Sequence, residues 1–307
     1  MSPDIVIVGA GPAGLCLART LSGHGLSIVV LERQAEQALA EPAFDGREIA
    51  LTHGSQALLE RLGLWARLPS KEVAVLRDAQ VFNGPSLFAL KIRAEQAGAE
   101  HLGHLVANQA IRRTAYQAVS DCADVQLLCD ASIRTIEQRA GEVKLVLHDG
   151  QVLQPRLLVA ADSRFSETRR QLGIGAQLKD FGKSMLVCRM QHEREHQQIA
   201  WEWFGYGQTL ALLPLNGRQS STVLTLPPRE IERLQKLGEA IGEVAGNALR
   251  WRYHLNLPVD DTTYVVYFDD WMYLMDDDTL INRSAMSKFG IELGQVTLFF
   301  RRGAATP

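Results

Sequence analysis

The sequence predicts an α/β protein with three parts: a Rossmann-like dinucleotide-binding domain, a partial β-sheet, and an additional antiparallel β segment at the C-terminal end. Three observations predict it. An uninterrupted β-branched run, Ile5-Val6-Ile7-Val8, leads straight into Gly9-Ala10-Gly11-Pro12-Ala13-Gly14. A helical pattern and a second strand follow, and the strand ends at Glu32. From Met185 onward the pattern turns to strands.

The β-branched run marks a strand buried on both faces. Leu15, Leu17, Ala18 and Leu21 recur at helical spacing, and Gly23-His24-Gly25 stops the helix. Gly9 permits the tight turn, Gly11 lets the backbone approach a pyrophosphate, and Gly14 lets helix and strand pack closely. The helix N-terminus offers free N–H groups and partial positive charge to phosphates. Glu32 lies 23 residues beyond Gly9, near the spacing of about 20 for a carboxylate that takes ribose hydroxyls. An acid at that place disfavours a 2′-phosphate, and so NADP.

Further on, Asp45 to Thr52 reads as a polar loop leading into a helix over Ser55 to Leu62. Val73 to Val81 reads as a strand, Asn108 to Val119 as a helix, and Val125 to Leu128 as a short parallel strand. Ser132 to Gln138, Val143 to His148 and Val152 to Gln154 form a meander with an Asp149-Gly150 turn. Arg156 to Ala160 is another buried strand, which runs into Ala161-Asp162-Ser163-Arg164-Phe165-Ser166-Glu167-Thr168-Arg169.

The totals narrow the class. At 307 residues there is room for two domains or one large one. Apolar residues at 46% and charged residues at 22% are ordinary for a soluble globular protein. A net charge of -3 leaves no basic footprint for nucleic acid. No apolar run approaches a bilayer span. Met1-Ser2-Pro3-Asp4 lacks the basic and apolar regions of a signal peptide, so a cytoplasmic address is expected. The four cysteines include no Cys-x-x-Cys pair and are expected as reduced, mostly buried thiols.

With Gly9–Gly14, Asp45–Thr52 and Ala160–Arg169 in place, residues 1–237 resemble the group A flavoprotein monooxygenases. Within these they resemble the ubiquinone-biosynthesis ring hydroxylases, the UbiH/UbiF/UbiM group, nearest its UbiM branch. The resemblance implies a glutathione-reductase-type FAD-binding domain over 1–180, with 70–106 contributing to the substrate region and 181–237 forming a partial substrate sheet. It also implies FAD as cofactor, NAD(P)H as reductant, and hydroxylation of a prenylated, quinol-like ring through a flavin C4a-hydroperoxide. The family's second fingerprint, G-A-D-G-x-x-S-x-x-R, matches at Asp162, Ser166 and Arg169, with Ala160 and Ser163 replacing two glycines. By this likeness Asp162 touches FAD and Arg47 lies beside the flavin. Asn108 and Arg112 start the helix near the pyrophosphate, a looser match. The expected cofactor set is therefore Gly9, Gly11, Pro12, Ala13, Gly14, Glu32, Arg33, Arg47, Asn108, Arg112 and Asp162. Without the resemblance, Arg47 and Arg169 read as ordinary surface arginines. No catalytic side chain and no metal ligand is expected. The resemblance also allows a place peripheral to the inner membrane or in a biosynthetic complex.

Leu212-Leu213-Pro214-Leu215 with Trp201, Trp203 and Phe204 reads as an apolar wall for the ring and its tail, or equally as plain sheet core. His192-Glu193-Arg194-Glu195-His196 spells the H-E-x-x-H zinc pattern, but its polar flanks lie between two strand patterns and predict a solvated connection. Asp276-Asp277-Asp278 lacks the glycine and closing glutamate of a calcium loop and reads as an acidic turn.

The family's third fingerprint, of G-D-A-x-H-x-x-x-P type, has no match after Leu226. From about Gly238 the chain alternates as strands over Trp251 to Leu257, Tyr264 to Tyr267, Trp271 to Leu274 and Val296 to Phe300. Asn247–Trp251, Phe268–Leu274 and Asn282–Gly290 resemble an uncharacterised lipocalin-like bacterial family, so 238–307 reads as a fused β segment joined near Leu237-Gly238. Three other readings stay open on the residues: a remnant that binds FAD without productive hydroxylation, an NAD-dependent dehydrogenase, and a carrier based on the C-terminal strands.

Overall fold

The protein is described by a computed structural model, which covers residues 1–84, 86, 88–139, 141–205, 207–236, 240–245, 248–259, 262–274, 279–288 and 291–301. The expected junction at Leu237-Gly238 and the expected acidic turn at 276–278 lie outside these residues, as do Asn247, Phe289 and Gly290 of the C-terminal likeness.

The chain opens with β1 (Ile5–Val8), α1 (Pro12–Leu21), β2 (Ile28–Leu31) and α2 (Glu36–Ala40). It continues through β3 (Glu48–Leu51), α3 (His53–Arg61), β4 (Val73–Leu76), β5 (Asp78–Asn83), β6 (Ala89–Arg93) and β7 (Gly103–Ala107). Then come α4 (Asn108–Ser120), β8 (Val125–Leu128), the meander β9 (Ile133–Arg139), β10 (Glu142–Leu147) and β11 (Val152–Leu153), and β12 (Leu157–Ala160).

β12, β1, β2 and β8 form a parallel sheet in that order. Alternation divides the two central strands. Ile5, Ile7, Ile28 and Val30 pack under Leu15 and Ala18 of α1 and Ala110, Ile111 and Ala115 of α4. Val6, Val29 and Leu31 face Leu145, Leu147 and Leu153 of the meander. Each such large side chain contributes about 1.5–3 kcal/mol on full burial. β12 corrects the expected buried strand. It lies at the sheet edge and leaves Leu157 53% exposed.

Two other expectations change. Glu48–Leu51 is not loop but β3, because β7 pairs with it on one side and with β4 on the other. The expected strand Val73–Val81 breaks at Arg77, where the chain leaves that three-stranded sheet and enters a six-stranded one. The thiols are less buried than expected: Cys122 is buried, Cys16 and Cys129 are half-buried, and Cys188 is exposed.

After α5 (Glu167–Gln171), the chain forms β13 (Ser184–Gln191), β14 (Ile199–Gly205), β15 (Gln208–Pro214) and β16 (Gln219–Leu226), then α6 (Pro228–Lys236). The larger sheet has the order β13-β16-β15-β14-β5-β6. Its register splits the expected apolar wall. Trp201 pairs with Leu212 and Trp203 with Leu210, so these four lie on one face. Ala200 and Phe204, odd in the alternation, share the other face with Leu213. Leu213 packs on Ala74, Leu105 and Leu215, against the small sheet. Trp201 stays 48% exposed beside Phe82, 5.6 Å away.

The final strands are β17 (Ala240–Ala245), β18 (Ala248–Val259), β19 (Thr262–Leu274), β20 (Thr279–Lys288) and β21 (Ile291–Arg301), an antiparallel meander in chain order. Tyr264–Tyr267 and Trp271–Leu274 belong to one strand rather than two. The intervening Asp269 is accommodated by Arg250 across the ladder, with N–H···O contacts of 2.8 and 2.6 Å.

Candidate nucleotide site

The β1–α1 turn is built by contacts that leave no room for side chains at two glycines. A Cβ on Gly14 would lie 2.0 Å from the Gly9 carbonyl oxygen, and one on Gly9 would lie 2.5 Å from the Ala161 oxygen. Gly9 also has φ +105°, a conformation that L residues rarely adopt. Gly11 differs: a Cβ there would meet nothing within 4 Å. The space above Gly11 is open, as the approach of a phosphate requires. Gly11 caps α1 with no side-chain hydrogen bond, and Pro12 is in the first turn without an N–H. The helix N-terminus is thus left to act on an outside anion. Ala13 is exposed beside it.

Glu32 stands at the end of β2, as the spacing predicts. Its carboxylate accepts from the Ala10 N–H at 2.8 Å and from the Gln34 N–H at 3.0 Å. It fastens the glycine turn to the strand end and keeps lone pairs for hydroxyl donors. Arg33 is exposed next to it. Arg112 reaches toward the same corner, with a long 3.4 Å contact to the Gln34 side chain.

Arg47 and Asn108 converge on Asp45, a residue the sequence left unassigned. Arg47 donates to Asp45 Oδ2 at 2.9 and 2.5 Å, and Asn108 Nδ2 donates to the same oxygen at 2.8 Å. The Asn108 N–H also donates to the Arg47 carbonyl. Burial presses the Asp45 carboxyl upward, but hydrogen bonds from Arg47 and Asn108 outweigh it and hold the group below its ordinary value. Asp45 was visible only as the start of a polar loop. Its pairing with position 108 was not visible, because only β3–β7 pairing brings them together.

Asp162 follows β12 and turns inward. It accepts from the Ser166 hydroxyl and from the Thr168 N–H at 3.1 Å, while Ser166 caps Arg169 N–H at 2.9 Å. Burial raises the Asp162 carboxyl, and these hydrogen bonds reverse the shift and lower it. The Asp, Ser and Arg of the second fingerprint therefore form one local knot. The Ala161 oxygen of the same segment abuts Gly9, so the knot borders the nucleotide turn.

The larger sheet is fastened to this unit beside the site. Arg189 donates to Glu48 Oε1 at 3.0 and 2.5 Å, and the Glu48 side chain is only 2% exposed. The Arg189 guanidinium also lies 4.5 Å from the Phe44 ring centroid. A cleft of about 160 Å³ opens there, between Phe44, Glu48, Ala107, Arg189 and Leu215. Nothing in local sequence marked Glu48 or Arg189.

The H-E-x-x-H segment is a connection between β13 and β14, not a helix. His192 Nε2 contacts the Ser220 hydroxyl at 3.0 Å and His196 Nε2 the Leu215 carbonyl at 2.8 Å. Both rings fasten the loop. Among the described residues, no group of three or more His, Cys, Asp or Glu could hold a metal ion. No helix among them is long and apolar enough to cross a membrane.

Comparison with known proteins agrees with this geometry. The ubiquinone hydroxylase UbiM of Neisseria meningitidis is 44% identical over 238 residues, which are 76% of this chain and 52% of that protein. The ubiquinone hydroxylase UbiL of Rhodospirillum rubrum is 32% identical, over 83% of this chain and 62% of that protein. The chain thus spans only about half to three-fifths of the length of these relatives. A substituted form of PqsL from Pseudomonas aeruginosa shares the fold, with a TM-score of 0.66 at 22% identity over 76% of this chain and 63% of that one. Residues 235–302 match a family described as a protein of unknown function, DUF3833. Residues 2–252 match the model described as FAD binding domain, and with its glycine turn and Glu32 in place the chain belongs to that FAD binding domain family.

Proposed function

We propose that the chain binds FAD through the β1–α1 turn and acts as an FAD-dependent hydroxylase of an aromatic, ubiquinone-precursor ring with a prenyl tail. The observation that carries this reading is the open space over Gly11, next to Glu32 and an uncapped helix end, in a chain 44% identical to a ubiquinone hydroxylase. When bound and reduced, FAD supplies oxygen activation. The chain's own residues bind and orient. Gly9, Gly11 and Gly14 shape the pyrophosphate turn, Pro12 and Ala13 start the helix that faces it, and Glu32 accepts ribose hydroxyls with Arg33 alongside. Asn108 and Arg112 flank the pyrophosphate from α4. Arg47, held by Asp45, borders the flavin end, and Asp162 closes the nucleotide side through its knot with Ser166. The Arg189–Glu48 pair holds the larger sheet over that end and limits access of water.

NAD(P)H is the proposed reductant. The proposed setting is cytoplasmic and peripheral to the inner membrane or a biosynthetic complex. The proposed division is 1–180 for FAD, with 70–106 shared with the substrate region, 181–237 for the substrate sheet, and 238–307 as a fused β segment. The test is purification of the chain, reconstitution with FAD, and assay of NADH oxidation against ring product. A chain that takes up no flavin sinks the proposal. A second reading, FAD binding without productive hydroxylation, draws on the unmatched third fingerprint and the passage into a second family after residue 235. Flavin uptake with peroxide as the only product would favour it.

A further inference from the structure

We infer that the segment from Arg164 to Met185 is a docking surface for an anionic lipid bilayer. The apolar side chains Phe165, Ile174, Leu178, Phe181 and Met185 are 60%, 56%, 67%, 76% and 68% exposed. Every residue from Gly173 to Lys183 is exposed, and 174–180 contains no helix or strand. Five large apolar groups on one short stretch exceed the scattered exposure that needs no explanation.

Charge selects the occupant. Between 164 and 183 there are five cations, Arg164, Arg169, Arg170, Lys179 and Lys183, against Glu167 and Asp180, in a chain whose net charge is -3. The positive charge is therefore local and opposes the sign of the whole. Arg164 lies 4.6 Å from the Phe165 ring centroid and Lys179 lies 5.4 Å from that of Phe181. Each aromatic thus carries a cation at its face, the pairing that suits a headgroup layer, where rings enter the acyl boundary and cations meet lipid phosphates. Arg170 is paired with Glu167, Arg169 donates to the Ile174 carbonyl and Lys183 to that of Gly207, which leaves Arg164 and Lys179 as the cations that ride on apolar side chains.

Position gives the surface a use. The segment runs from the Asp162 knot to β13, whose Val187 lies against Gly46 beside Arg47. Docking would bring the flavin end of the site to the bilayer surface, where a prenylated substrate dissolves. That use rests on the proposed function, whereas the surface itself rests on exposure and charge.

The test is flotation of the full chain, loaded with FAD, with vesicles of phosphatidylcholine alone and of phosphatidylcholine mixed with phosphatidylglycerol. We expect binding to the mixed vesicles only, weakened by salt and by about five-fold for each charge removed in Arg164→Gln and Lys179→Gln. Leu178→Ser with Phe181→Ser should lower binding at every salt concentration, and circular dichroism confirms that the variants fold. Equal binding to both vesicle types, or none, overturns the inference. So does self-association through this segment, seen by sedimentation velocity, without vesicle binding. Flavin absorbance is read on the same samples. Protein that floats with anionic vesicles but holds no flavin would sink the hydroxylase reading and leave the docking surface standing.

Discussion

Alanine at Gly14 should lower stability, whereas alanine at Gly11 should spare it and weaken FAD binding. At Gly14 the new methyl would lie 2.0 Å from a backbone oxygen and 3.3 Å from Ile7 Cγ2. Backbone cannot step aside as a flexible side chain can, so α1 must move off β1. Overpacking of this kind costs about 1–3 kcal/mol or more, against about 1 kcal/mol recovered from better helix propensity. The net loss should lower Tm by ~2–4 °C per kcal/mol. At Gly11 the methyl meets nothing within 4 Å and φ is -72°, so alanine fits the apoprotein. The weaker N-cap costs roughly 0.5–1 kcal/mol, offset by about 0.4–1 kcal/mol from a stiffer unfolded chain. Its Tm without FAD should match the native protein. The methyl occupies the space assigned to the pyrophosphate, so FAD affinity should fall by about a hundred-fold, equivalent to ~2.7 kcal/mol. Thermal unfolding with and without FAD, and flavin fluorescence titration, read both quantities. Gly11→Ala with unchanged FAD affinity would refute the placement of the phosphates, and Gly14→Ala with native Tm would refute the close packing.

Other outcomes follow from the same contacts. The folded Asp45 and Asp162 carboxyls titrate below their ordinary values, so their stabilisation is complete above about pH 4 and is lost as pH falls through the folded values. Asp45→Asn and Asp162→Asn should each flatten the acid limb of a Tm-against-pH curve, and an unaltered limb counts against the two knots. Arg189→Met should destabilise by about 1–3 kcal/mol, less than the ~3–5 of a fully buried pair, because Arg189 is 43% exposed; urea unfolding measures it. Chelation should leave Tm unchanged, since His192 and His196 are occupied by Ser220 and Leu215; a fall reversed by zinc would restore the metal reading. If the flavin end lacks the third fingerprint's closure, NADH oxidation should yield mainly hydrogen peroxide, measured with peroxidase, and a tight match of NADH consumed to ring product would contradict that.

The nucleotide turn was legible because its determinants are local. Ile5–Val8, the three glycines, Pro12 and Glu32 lie within one βαβ unit, and backbone sterics impose their roles at short range. The meander and the four strands from β13 to β16 were legible for the same reason, through alternation and turn residues, whereas β6 was not expected and β5 was read as one strand with β4. Alternation alone did not say which strands are neighbours. Trp201 and Leu213 looked like one wall until the register of β14 and β15 placed them on opposite faces. Glu48 looked like loop until β7 paired with its segment.

By itself, the sequence determined the glycine turn, its helix and the acid at the end of β2, because each depends on residues a few positions apart. Only the tertiary structure decided that Arg47 and Asn108 share Asp45, that Arg189 pins the larger sheet to Glu48, and that the two histidines of a zinc-like motif are spent on a loop. Those contacts join residues 63 and 141 positions apart or depend on a loop's shape. No local pattern encodes them, since strand pairing and burial select such partners only after the chain has folded.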